Sequence, residues 1–138
     1  MTSQNEPKTS HFLGIDFGKS KVGLAMADSE TKIAFAYTTI DNDKDFLQKL
    51  VKIIQENSIN KIIIGFPAYI NKENVEYEGE HLGKLIKKLV DIDIEYQNEM
   101  FTTKMAQENL IERGVKHVKS QDDQEAARII LQSWLDKS

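Results

Sequence analysis

The run Lys61-Ile62-Ile63-Ile64-Gly65-Phe66 restricts the fold of this chain more than any other segment. It is short, wholly apolar after its first residue, and closed by Gly65 and Pro67. No alternation leaves one side for water, so a strand here needs cover on both faces. That is the environment of an inner strand in a parallel or mixed sheet layered between helices.

The flanking patterns supply the rest of such a sheet. Phe12 to Phe17, Lys21 to Ala27 and Lys32 to Ile40 read as three strands with short turns, an antiparallel meander. Asp45 to Asn57 carries Phe46, Leu50, Ile53 and Ile54 at helical spacing, and His81 to Val90 does so through Leu82, Leu85, Ile86 and Leu89. Ile92 to Gln97 alternates as a strand. Thr102 to Arg113 reads as a helix stopped by Gly114, and Asp122 to Asp136 as the last helix. Ala68 to Glu80 and Val115 to Ser120 read as loops. The order is βββαβαβα with an extra helix near the end. Two right-handed αβ crossovers after a meander give an α/β fold, a mixed five-stranded sheet flanked by helices. Its first, fourth and fifth strands run parallel, so their carboxyl ends share one edge, where open α/β sheets hold ligands.

The chain has 138 residues, enough for one domain, expected over residues 11–138 behind a polar tail of residues 1–10. The tail has no apolar stretch of the kind a signal peptide needs, and no run is long enough to span a membrane. The expectation is a cytoplasmic protein that does not engage a membrane, as a monomer or a homodimer. Cysteine is absent, which excludes disulfides and thiolate metal sites. The net charge of -4 argues against a bulk polyanion binder. Basic residues are nevertheless grouped: Lys19 and Lys21 at the first turn, Lys84, Lys87 and Lys88 together, and Lys116, His117 and Lys119 late in the chain. Charge runs of this kind usually form solvated faces.

Three acids are placed where chemistry is possible. Asp16 occupies the face of the first strand opposite Leu13, Ile15 and Phe17. Glu99 follows the fifth strand, so parallel strands bring both acids to one edge. Asp123 precedes Ala127, Ile130 and Trp134 at helical spacing and so faces the sheet. Like charges this close repel unless a cation or proton lies between them. Carboxylates without His or Cys form a hard-oxygen site suited to Mg²⁺ or Mn²⁺. Two such ions align an attacking water with a leaving phosphate oxygen. A plainer reading stands beside each acid. Asp16 caps a turn, Glu99 is a solvated loop acid, and Asp123 is the third helical position of a capping box opened by Ser120. Asp122 takes the place of Asp123 if the helix is rotated by one residue. Asp28, Asp91 and Asp93 read as turn or surface acids. His11, His81 and His117 lack metal-ligand spacing and read as exposed. Trp134 reads as a core or edge anchor, and Tyr69 as a surface aromatic able to stack on a base.

Taken together, these segments resemble the YqgF family of Holliday junction resolvases, also called RuvX, in the RNase H-like superfamily. Gly14-Ile15-Asp16-Phe17-Gly18 with Lys21-Val22-Gly23-Leu24-Ala25 and Asp28 is similar to the family's opening motif. Ile63-Ile64-Gly65-Phe66-Pro67 is similar to its central strand end, and Asn98-Glu99-Met100-Phe101-Thr102-Thr103 to its Asp-Glu-Arg-Leu-Thr/Ser-Thr motif. Asp123-Gln124-Glu125-Ala126-Ala127 with Ile130-Leu131-Gln132-Ser133-Trp134-Leu135 is similar to its last helix. The four motifs fall in order between residues 11 and 136. The resemblance implies an RNase H-like fold and an acidic triad of Asp16, Glu99 and Asp123, serving as catalytic residues and metal ligands. Asn98 and Met100 stand where the family usually has Asp and Arg, Lys21 where Arg is usual, and Ala68-Tyr69 where Leu-Asn is usual. The missing Arg removes a forked donor suited to phosphate or carboxylate.

The function expected is therefore a metal-dependent nuclease using Mg²⁺ or Mn²⁺. The resemblance implies two substrates, branched or single-stranded DNA at Holliday junctions and the 5′ end of 16S rRNA precursor. Lys19, Lys21, Lys116 and Lys119 are the expected phosphate contacts beside the triad. Two alternatives belong to other classes. One is a non-catalytic nucleic-acid- or protein-binding module of the same fold. The other is an ATP-binding fragment of the actin and Hsp70 kind, suggested by Asp16-Phe17-Gly18 before Gly23.

Overall fold

A computed structural model describes residues 9–66, 78–98 and 119–137, with backbone alone at 78 and 119–122. Five strands and three helices lie in these residues: β1 (His11–Phe17), β2 (Lys21–Asp28), β3 (Phe35–Asp41), α1 (Phe46–Glu56), β4 (Lys61–Phe66), α2 (Glu78–Leu89), β5 (Asp93–Asn98) and α3 (Lys119–Lys137). The strands form one mixed sheet in the order β3-β2-β1-β4-β5. β1 pairs antiparallel with β2, and β2 with β3. β4 lies between β1 and β5 and is parallel to both. The all-apolar run is thus an inner strand, and Ile62, Ile63 and Ile64 are fully buried.

Strand alternation sends side chains to two separate cores. Leu13, Ile15, Val22, Leu24, Ile62 and Ile64 join Phe46, Leu50 and Ile54 of α1 and Leu82 and Ile86 of α2 in one cluster. Ala25, Ala27 and Ile63 join Ala127, Ile130, Leu131 and Leu135 of α3 in the other. Burying each large aliphatic side chain contributes roughly 1.5–3 kcal/mol. At the start of the parallel strands, Trp134 packs edge-on to Phe12 with ring centroids 5.1 Å apart and donates to Glu95 at 2.9 Å. Lys61 bridges to the same carboxylate at 2.6 Å and lies 5.3 Å from the Trp134 ring. Trp134 is therefore an edge anchor.

The elements depart from the sequence expectation at their ends. β3 begins at Phe35, where Lys32 was expected. The Asp28 carboxylate accepts from the Glu30 and Thr31 amides and the Thr31 hydroxyl, which curls the chain away from the sheet. Lys32 then adopts a φ of 55°. Gln132 of α3 takes over the pairing, accepting from the Ala34 amide at 2.8 Å and donating to the Lys32 carbonyl. α2 starts at Glu78 and α3 at Lys119, three residues before the starts expected at His81 and Asp122. A polar first turn carries no apolar face to read. Ser120 thus lies within the helix rather than in a loop, and it does not cap a helix in which Asp123 is third. His11 is half-buried where exposure was expected, and its amide donates to Asn60. The N-terminal tail through residue 8, Tyr69, the helix expected at Thr102 to Arg113, and His117 lie outside the described residues.

Candidate active site

β1 delivers Asp16 to the sheet edge where the parallel strands end. Gly14, two residues earlier on the same face, lies under α3: a Cβ there would stand 2.8 Å from Leu131 Cβ and 3.0 Å from the Ala127 carbonyl oxygen. Alternation therefore puts Asp16 on the α3 face as well. Its partner across the β1–β2 ladder is Gly23. A Cβ on Gly23 would collide with the carbonyl oxygen of Asp123. The first described turns of α3 thus rest on the β2 backbone directly beside Asp16. A glycine inside a strand marks such an approach. Asp16 and Asp123 are both half-buried, and Asp123 Oδ2 is a buried atom.

The charges around this corner are partly engaged. Lys21 opens β2 and pairs with Asp41 across the β2–β3 ladder, Nζ to Oδ1 at 2.5 Å. The hydrogen bond and charge of Asp41 raise the Lys21 pKa, and Asp123 adds to the effect, so the ammonium also acts on that carboxylate. The same pair lowers the Asp41 pKa. On α3, Arg128 grips the buried Glu125 through Nε and Nη2, each at 2.8 Å, a two-pronged bond that leaves Glu125 committed to the helix. The β1–β2 turn is closed by the Gly18 amide donating to the Lys21 carbonyl at 3.1 Å. Asn42, not among the expected site residues, locks that turn: its side chain donates to the Gly18 carbonyl at 2.8 Å and its amide to the Ser20 carbonyl at 2.9 Å. The only sequence signal for it was the polar cluster Asp41-Asn42-Asp43.

Of the expected residues, Asp16 and Asp123 come to one corner, Lys21 stands beside it, and Lys19 is exposed on the adjoining turn. Glu99, Met100 and Lys116 lie outside the described residues, as does the side chain of Lys119. β5 pairs with β4 as far as Phe66 opposite Asn98, so the described chain stops at this edge one residue before Glu99. Among the described residues no three His, Cys, Asp or Glu side chains form a metal-holding group. The two acids present supply oxygen donors alone, which fits Mg²⁺ or Mn²⁺ and disfavours softer ions.

The sheet order, the parallel inner strands and the long helix crossing one face define an RNase H-like α/β fold. Two solved resolvases share it. Thermus thermophilus RuvC in complex with a Holliday junction substrate matches 93% of this chain and 94% of its own, with a TM-score of 0.61 at 13% identity. Fowlpox virus resolvase, in complex with Holliday junction DNA, matches 92% and 97%, with a TM-score of 0.61 at 10% identity. The chain belongs to the RuvX family, described as Holliday junction resolvase, whose pattern matches residues 10–137. A relative from Protochlamydia amoebophila, named "putative pre-16S rRNA nuclease", is 34% identical over 96% of this chain and 97% of its own.

Proposed function

We propose that this chain is a divalent-metal-dependent nuclease that hydrolyses phosphodiester bonds of structured or single-stranded nucleic acid, with Asp16, Glu99 and Asp123 as its acidic triad. The observation that carries this is the contact at Gly23, where α3 brings Asp123 down beside the cross-strand partner of Asp16. Family membership and the name of the relative support a nuclease over a non-catalytic module or an ATP-binding fragment. The three carboxylates would hold the metal, which when bound polarises the phosphate and activates water. Asp16 is held rigidly by the β1–β2 ladder and Asp123 by α3 packing, so neither has to be ordered when substrate arrives. Lys21 is positioned to limit repulsion between the acids. Lys19, Lys21, Lys116 and Lys119 would meet flanking phosphates.

Of the two substrates the resemblance implies, 16S rRNA precursor is favoured by the relative that matches nearly full length at 34% identity. The test is cleavage, with Mn²⁺ or Mg²⁺ and after chelation, of a four-way junction, single-stranded DNA and an RNA bearing a 16S precursor 5′ extension. Metal-dependent cleavage of the RNA in preference to the junction is expected. Absence of cleavage on all three would overturn the reading.

A further inference from the structure

Behind the acid edge, on the opposite face of the sheet, lies a cavity of about 590 Å³ that the proposed nuclease chemistry does not use. Phe17, the residue after Asp16, points into it. The ring lies 5.7 Å from that of Phe46, tilted by 49°. Leu47, Leu82 and Leu85 complete the apolar wall. The rim is polar: Lys19 comes from the β1–β2 turn, Lys44 from the segment before α1, and His81 from α2. Asp43 also stands on the rim, 3.9 Å from Lys49, which offsets its charge.

Volume, wall and rim together select a ligand. Pockets of roughly 300–1,000 Å³ hold small organic groups. The half-buried Phe17 ring, backed by the buried Phe46 ring and flanked by aliphatic side chains, suits a flat heterocycle, and base stacking on aromatics tolerates any sequence. Exposed lysines on the rim suit a phosphate. The Asn42 bonds to Gly18 and Ser20 tie the turn bearing Lys19 to the segment bearing Lys44, so the rim is one braced unit. Consecutive residues place Asp16 and Phe17 on opposite faces of the same strand end. A strand with its phosphate at the acids can therefore drop a neighbouring base over the edge.

We infer that this cavity receives one unpaired base of the bound nucleic-acid strand, next to the scissile phosphate, with Lys19 and Lys44 on the adjoining backbone. The inference rests on the nucleic-acid reading above and concerns binding rather than cleavage. It is tested with the full-length protein, Ca²⁺ in place of Mn²⁺, and a single-stranded RNA in which an abasic site is moved one position at a time. At one position the missing base should weaken binding by roughly tenfold. Leu85→Trp, which fills the cavity from a partly exposed site, should abolish that dependence while strand binding persists. Lys44→Ala, at an exposed position, should lower the salt slope by about one unit. If Leu85→Trp does not melt as wild type, 5-iodouridine crosslinking of the wild type decides, with crosslinks to Phe17 expected. Binding indifferent to every abasic position, or crosslinks only elsewhere, would overturn the inference. A site that binds free AMP while strand binding ignores the abasic position would overturn it too. Cleavage by the wild type is scored separately, so the nuclease reading can survive any of these failures.

Discussion

On one face of the sheet Leu13, Ile15, Val22, Leu24, Ile62 and Ile64 stand buried beneath α1 and α2; on the other, the positions between them include Gly14, Gly23, Ala25 and Ala27 beneath α3. The same strands build both faces. The first is filled with large branched side chains, which hold helices at a distance and stabilise by bulk. The second keeps the bulk of Ile63 on β4 but carries Gly14, Gly23, Ala25 and Ala27 on β1 and β2, so α3 settles on the sheet backbone there. Small residues there forfeit burial energy. In exchange they fix the height of α3 above β1 and β2, and with it the position of Asp123 relative to Asp16. One face is built for mass and the other for placement.

The contrast is broken most sharply at Asp16. Asp16→Asn keeps shape and removes charge. Loss of a partner behind a metal ligand typically costs 10–100-fold, so under the proposed role of Asp16 as a ligand its loss should cost more than about a hundredfold in turnover. Thermal melts without metal should show no loss of stability, because repulsion between acids is relieved. A melting temperature several degrees lower would make Asp16 part of the structural face instead.

Gly23→Ala tests placement without touching an acid. The added methyl must displace α3 or β2. Overpacking of this kind costs about 1–3 kcal/mol. A displacement near 1 Å lowers turnover by up to about a hundredfold even in molecules that remain folded. Activity per folded molecule equal to wild type would show that the height of α3 does not matter. Leu24→Ala, the adjacent residue on the bulky face, should behave in the opposite way. It should lose about 2–5 kcal/mol by urea unfolding, with turnover per folded molecule unchanged.

The bulky face was the more legible in the sequence. Period two in β1 and β2 and the unbroken run in β4 announce buried strands, and the mixed topology follows from their order. Asp123 was legible too, because Ala127, Ile130 and Trp134 repeat along its helix face. What the sequence hides depends on contacts between distant residues. The true start of β3 is set by Asp28 and by Gln132, nearly a hundred residues on. The polar first turns of α2 and α3 show no periodicity. Gly23 could be noticed as a glycine within a strand, but nothing local names Asp123 as what presses on it. Among the described residues Asn42 bonds to the backbone carbonyls of Gly18 and Ser20, which no side-chain pattern predicts.

The smallest expected effect separates the charges that brace the fold from those of the acid corner. Asp28, Asp41 and Glu95 all have lowered pKa values, from the Thr31 amide, the Lys21 ammonium, and the Lys61 ammonium with the Trp134 N–H respectively. A carboxyl whose folded pKa lies below its unfolded one contributes stability above the unfolded value and loses it as pH falls through the folded value. Stability should therefore decline below about pH 4 as these three protonate. Glu95→Gln keeps an acceptor for Trp134 but removes the charge beside Lys61. Because Glu95 is nearly half exposed, the loss at neutral pH should stay under about 1 kcal/mol, and the acid decline should become shallower. Asp16→Asn should leave the decline caused by these three groups in place, since none of them draws its shift from Asp16. Urea unfolding between pH 3 and 7 for both variants checks this. An acid decline that vanishes in Asp16→Asn but persists unchanged in Glu95→Gln would place the acid-sensitive charges at the site rather than in the frame.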